Sequence, residues 1–160
     1  RGCRARAATP ALLKGLLFGP TGRAMSPTHT RKHGKLYRYY ACQAALKGEA
    51  ESSPIRRVSA AAIEAAVIDQ LRALLRSPEV VVATWRAAEP QADGLSVGLV
   101  REALERLDPL WEELFPAEQT RIVQLLIQRI DLKTDGLELQ LRTQGLGHVV
   151  QQLGDLRRAA

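Results

Sequence analysis

The residues with the most evident chemistry stand close together: Arg31, Lys32, Lys35 and Arg38, interleaved with Tyr37, Tyr39 and Tyr40 and followed by Arg56 and Arg57. Guanidinium and ammonium groups neutralise phosphates and reach the N7/O6 edge of guanine, and a two-stranded ribbon is narrow enough to enter a major groove. Phenol hydroxyls add phosphate contacts. A plainer reading competes: small exposed hairpins carry charge for solubility, and tyrosines on one face of a strand pack in cores. The two faces of a ribbon are expected to divide these jobs. Charge distribution favours the phosphate reading. Residues 1–58 hold 12 Lys and Arg against 2 acids, residues 59–160 hold 11 against 15, and the 160-residue chain has a net charge of +6. Such segregation is the electrostatic footprint of a nucleic-acid-binding segment joined to a part with another task. The candidate contacts to double-stranded DNA are Arg31, Lys32, Lys35, Tyr37, Arg38, Tyr39, Arg56 and Arg57.

Other chemistries find less support. His29, His33 and Cys42 invite a metal, but structural zinc takes four donors that usually arrive in close pairs, and no Cys-x-x-Cys is present. No metal and no cofactor are expected; Cys42 reads as a small buried residue and His29 as a surface or hydrogen-bonding one. The serines at 26, 52, 53, 59, 77 and 96 fall at caps and turns, and Glu112, Glu113 and Glu118 on polar positions of short helices. Neither set makes a convergent catalytic constellation, and no phosphate-binding Gly-rich loop occurs. No apolar run approaches the roughly 20 residues of a membrane span, and no secretory signal is legible. With two cysteines and no disulfide framework, the reducing cytoplasm is the expected compartment.

The positioning elements follow from periodicity and punctuation. Residues 1–10 read as a loose lead-in, continuing something upstream since no Met starts them. Ala11 to Phe18 is a short apolar segment, and Gly19-Pro20-Thr21-Gly22 a turn. Met25 to Arg31 and Lys35 to Cys42 form a hairpin about Lys32-His33-Gly34, with Tyr37 and Tyr39 on one face and Leu36, Arg38 and Tyr40 on the other. Ser59 is a natural cap for a helix with Ile63, Val67, Leu71, Leu74 and Leu75 on one side, stopped by Ser77 and Pro78. Pro78 opens a second helix ending near Ala88, and Glu89 to Gly94 links it to a third, capped by Ser96 and broken by Asp108 and Pro109. Leu110 to Phe115 is a short turn and Pro116 starts a fourth helix. Ile130 to Lys133 and Leu137 to Arg142 alternate about Thr134-Asp135-Gly136, a strong hairpin signal. A terminal helix spans Leu146 to Leu156. The class is α+β, in four stretches: 1–10 lead-in, 11–58 basic binding region, 59–107 helical region, and 108–160 helix, hairpin and terminal helix.

The order of these motifs resembles the zinc β-ribbon region of large serine recombinases, in the resolvase and invertase superfamily. The match rests on Leu12-Leu13-Lys14-Gly15-Leu16-Leu17-Phe18, Met25-Ser26-Pro27-Thr28-His29-Thr30, Tyr37-Arg38-Tyr39-Tyr40-Ala41-Cys42, and Ile55-Arg56-Arg57-Val58 leading into Ile63-Glu64-Ala65-Ala66-Val67. Distally, Leu110-Trp111-Glu112-Glu113-Leu114-Phe115-Pro116-Ala117-Glu118-Gln119, Arg121-Ile122-Val123 and the hairpin continue it. The resemblance implies attachment-site DNA as partner, with other recombinase protomers as further partners, and a cleaving serine in a separate N-terminal domain. By itself the chain is then no enzyme. Members usually hold the ribbon with four cysteines; here Gly19-Pro20-Thr21-Gly22 occupies the first pair and the Ser52-Ser53-Pro54 region the last position, leaving Cys42 alone. A degenerate, zinc-free ribbon is implied, supported by packing of Leu16, Phe18, Leu36 and Tyr40 on Ile63 and Val67. The helices from Ser59 could be a shortened form of the family's coiled coil, or ordinary core helices, which their length favours. The alternative function is a non-catalytic interaction or structural remnant of a degenerate mobile element.

Overall fold

Alternation along two strands builds the first part of the molecule. The computed structural model describes residues 11–43, 53–91, 93–142 and 144–147. Strands β2 (Met25–Lys32) and β3 (Lys35–Cys42) pair antiparallel from Met25↔Cys42 to Lys32↔Lys35. His33 and Gly34 close the ribbon with φ of 50° and 77°, the pair of positive angles that a type I′ turn requires. Around the base lie β1 (Leu17–Phe18) and β4 (Arg57–Ser59), the latter added to β3 through Tyr39↔Ser59 and Ala41↔Arg57. Met25, Tyr40, Ala41 and Cys42 are buried at this base, whereas residues 29–38 are exposed throughout. The ribbon is therefore a projecting arm with an anchored root.

Helix α1 (Ala60–Leu75) starts where β4 ends and buries Ala60, Ile63, Val67, Ile68, Leu71 and Leu75, a stripe of helical period. Ser59 occupies the expected boundary, but its hydroxyl makes no cap bond; strand pairing with Tyr39 fixes the chain there instead. Helix α2 (Pro78–Ala88) is capped by Ser77, which accepts from the Val80 amide at 3.3 Å, and α3 (Val97–Trp111) by Ser96, which accepts from Leu99 at 3.2 Å. A 3₁₀ turn, Glu89–Gln91, lies between them, and Trp85 Nε1 donates to the Leu95 carbonyl at 2.8 Å. The expected break at Asp108 and Pro109 does not occur: α3 runs through both to Trp111. Proline's φ suits a helix and forfeits one amide bond. That loss is offset by Leu107 and Trp111, buried on either side, and the Arg72 guanidinium donates to the Asp108 carbonyl at 3.1 Å. Asp108 also ion-pairs with Arg72 and Arg76, tying α3 to α1.

Helix α4 (Pro116–Leu126) passes directly into β5 (Ile127–Lys133), which pairs with β6 (Gly136–Leu141) about Thr134 and Asp135. The hairpin is where the sequence puts it, with a first strand three residues longer than the alternation about Ile130 suggests. Its outer partner is β1, parallel to β5 with Leu17↔Ile130 and Phe18↔Asp131. The Ile130 amide donates to the Leu16 carbonyl at 2.9 Å and Gln124 Nε2 to the Lys14 carbonyl at 3.2 Å. One core thus runs from Leu13 through α1 and α3 to Ile130 and Leu146. Of the residues expected to pack on Ile63 and Val67, Leu16 and Tyr40 are in this core. Leu36 is not: it lies two residues from the ribbon tip, 49% exposed. Phe18 is half-buried, with the Arg129 guanidinium 3.8 Å above its ring. Residues 144–147 are helical, and Gly145 lies so close to the Leu125 carbonyl that a Cβ would collide with it. The remainder of the expected terminal helix, like the lead-in 1–10, falls outside the described residues.

Ile130 is fully buried in the strand that pairs with both β1 and β6, so Ile130→Ala should destabilise by about 2–5 kcal/mol in denaturant titration. The Arg72 hydrogen bond, with both arginine charges, holds the Asp108 carboxyl below the ordinary range. A depressed folded-state value gives stability that is complete above the unfolded carboxylate value, near 3.9, and is lost as pH falls through the folded one. Melting temperature between about pH 5 and pH 2 should therefore fall less steeply in Asp108→Asn than in the parent chain.

Candidate nucleic-acid interface

Partners across an antiparallel ribbon point to the same side, so register sorts the candidate residues into two faces. One face carries Thr28, Thr30, Lys32, Lys35, Tyr37 and Tyr39, joined by Arg57 from β4. The other carries His29, Arg31, Leu36 and Arg38, and ends in the buried Met25, Tyr40 and Cys42. The two faces differ at the root, where the second is buried, and five of the eight candidate contacts share the first, solvent face: Lys32, Lys35, Tyr37, Tyr39 and Arg57. Arg31 and Arg38 project from the opposite face. Arg56 is exposed at the root, where its carbonyl accepts from the Cys42 amide at 2.8 Å.

On the solvent face the Arg57 guanidinium lies 4.5 Å from the centroid of the Tyr39 ring. The ring's quadrupole attracts the cation and restricts it, while leaving guanidinium hydrogens for an outside acceptor. Toward the tip, Tyr37 is 43% exposed and Lys32 and Lys35 face each other across the last pair before the turn. No acid occurs in the sequence before Glu49, so strands β2 and β3 themselves carry no charge that opposes an approaching polyanion. The arrangement suits phosphate contact by Lys32, Lys35 and Arg57, with phenol and threonine hydroxyls as further donors.

The opposite face is different. Glu64 of α1 accepts from the Tyr40 hydroxyl at 2.8 Å and from Arg38 Nη2 at 3.4 Å. Burial first, and then the Glu64 carboxylate, push the Tyr40 phenol well above its ordinary range, so it stays protonated and donating. Sequence reasoning passed over Glu64, because an acid among the Ala-rich positions of a helix reads as a solvated side chain. It also passed over Thr28 and Thr30, which become site candidates only when register sets them beside Tyr39 and Tyr37.

Residues 12–72 match the recombinase zinc beta ribbon domain family. Over these residues the chain is similar to that family. No curated protein matches the sequence. Among solved structures, one concerned with sequence requirements of the Listeria innocua prophage attP site is 16% identical, covers 86% of this chain and 45% of its own, and has a TM-score of 0.50. The crystal structure of a large serine recombinase–DNA complex is 15% identical, covers 85% of this chain and 57% of its own, and has a TM-score of 0.53. The α+β fold is shared with both, and the chain spans about half the length of these chains.

The matched family's name implies zinc, and the donors among the described residues do not fit it. Zinc bonds of about 2.0–2.3 Å require ligand atoms to converge on one point. Among the described residues Cys42 is buried at the ribbon root, His29 pairs with Arg38 four residues along β3, and His33 forms the tip. At about 3.4 Å per residue, these are roughly 13 Å and more than 20 Å from Cys42. No group of three or more His, Cys, Asp or Glu among the described residues could hold a metal. Where the resemblance places ligands, the chain bonds to itself: Gly19 N donates to the Arg23 carbonyl at 2.9 Å, Gly22 N to that of Gly19 at 3.0 Å, and Ser53 Oγ to that of Ile55 at 2.9 Å. Chelator or added zinc should leave the thermal unfolding midpoint of the purified chain unchanged; loss of its cooperative transition in chelator would contradict this assignment.

Proposed function

We propose that this chain is the DNA-binding C-terminal portion of a serine site-specific recombinase, in which the basic ribbon grips attachment-site duplex. The observation that carries the reading is the solvent face, where Lys32, Lys35, Arg57, Tyr37 and Tyr39 stand together on an arm free of acids. The similarity to the recombinase ribbon family over residues 12–72 and a fold shared with a recombinase–DNA complex support it. Arg31 and Arg56, exposed beside this face, are proposed to reach phosphates at its margins. The stretch 11–58 is the binding region in this reading, 59–107 its helical support, and 108–160 the part that completes the core. Duplex binding, not strand cleavage, is the role assigned to these residues; cleavage would belong to a separate resolvase-like domain. Among the described residues no helix is long and apolar enough to cross a membrane. A role on cytoplasmic DNA beside other protomers is part of this proposal.

Phosphate contacts release counterions, so log affinity for duplex falls with log salt at a slope of about 0.9 per contact. The triple variant Lys32→Ala, Lys35→Ala, Arg57→Ala should flatten that slope by about 2 to 3 in fluorescence-polarisation titrations on a duplex of mixed sequence. An unchanged affinity and slope would remove the ribbon from the interface.

A further inference from the structure

A projecting arm transmits its contacts only if its root is held, and the chemistry of that root rests on one carboxylate. Tyr40 is fully buried. Its hydroxyl accepts from the Leu13 amide at 3.0 Å and donates to Glu64 Oε1 at 2.8 Å. The same Oε1 receives Arg38 Nη2 at 3.4 Å, from two residues further up the arm. Three separate stretches, the segment before β1, the ribbon and α1, therefore meet at Tyr40 and Glu64. Glu64 is itself mostly shielded, with 18% of its side chain exposed, so its hydrogen bonds are worth more than those of a solvated carboxylate.

We infer that Glu64 is a positioning residue for DNA binding: by accepting from Tyr40 and Arg38 it fixes the ribbon on α1 with the Lys32–Lys35–Tyr37–Tyr39–Arg57 face outward. The inference rests on the reading that this ribbon binds duplex. Its consequence runs against simple electrostatics. An acid close to a bound polyanion repels it, so removing that acid should tighten binding. A positioning acid does the reverse, because an arm that occupies its competent orientation for only a fraction of the time binds more weakly by that fraction.

The test compares Glu64→Ala, Glu64→Gln and Tyr40→Phe in the whole chain, at a temperature where circular dichroism shows each folded. Loss of a hydrogen bond to a charged group corresponds to about tenfold. Glu64→Ala should therefore weaken duplex binding by about tenfold while leaving the salt slope unchanged, since the phosphate contacts are the same. Glu64→Gln, whose amide oxygen still accepts from Tyr40, should restore most of that affinity. Tyr40→Phe, which keeps the ring, should weaken binding as Glu64→Ala does. Independently of DNA, the Tyr40 hydroxyl proton should give a slowly exchanging NMR signal in the wild type and in Glu64→Gln, and none in Glu64→Ala. Binding by Glu64→Ala as tight as wild type or tighter, or failure of Glu64→Gln to restore it, overturns the inference. A wild-type chain with no salt-dependent duplex affinity overturns the DNA reading instead, and the hydroxyl signal then decides whether Glu64 fixes the root.

Discussion

Tyr40 carries a polar atom into the interior, and the rest of the arrangement depends on how that atom is satisfied. A buried hydroxyl without partners would cost about 1–3 kcal/mol, comparable to what burial of the ring contributes. Here it has a donor in the Leu13 amide and an acceptor in Glu64, from stretches on either side of the ribbon in sequence. Hydrophobic contacts among Leu13, Leu16, Ile63 and Val67 supply most of the burial, but they are non-directional. The hydrogen bonds add direction, and an arm exposed over residues 29–38 needs it at its root.

Register is the second constraint. The His33-Gly34 turn fixes Lys32 opposite Lys35, and every later pair follows from it. Because side chains alternate with period two, a slip of one residue would carry Tyr40 to the solvent face and Tyr39 toward α1. Burial of Tyr40 and Met25 at the root and the positive-φ pair at the tip both select the same register, so the basic face and the core are specified together.

The sequence disclosed those parts whose signals are local. Alternation and a Gly-containing turn marked the ribbon and the distal hairpin; helical spacing with Ser77, Pro78 and Ser96 marked the helices; charge segregation marked the arm. What it concealed depends on distant partners. Strand β1 is two residues long, too short for any period to show, and exists because Ile130 offers a parallel partner. Glu64 looks solvated until Tyr40 is set above it. Leu36 looks like core because it is apolar and shares a face with Tyr40, but that face leaves the core as the ribbon leaves the helix. Pro109 looks like a stop, and Leu107 and Trp111 outweigh it.

The parallel pairing of β1 with β5 also bears on how the basic and acidic parts of the chain work together. Leu17 and Ile130 are both essentially inaccessible, and the bond from the Ile130 amide to Leu16 places the distal hairpin against the segment whose Leu13 amide holds Tyr40. Arg129, stacked on Phe18 and bonded to Asp131 at 2.9 Å, closes the same junction at the surface. The distal hairpin thus buttresses the segment that holds the arm's root. The acidic remainder is accordingly a structural counterpart of the basic region: Glu64 holds the arm's root, and the remainder's strand and helices pack against the segment before the ribbon. On the proposed reading that this surface meets a duplex, such a foundation favours binding, because orientation fixed during folding need not be fixed again at binding.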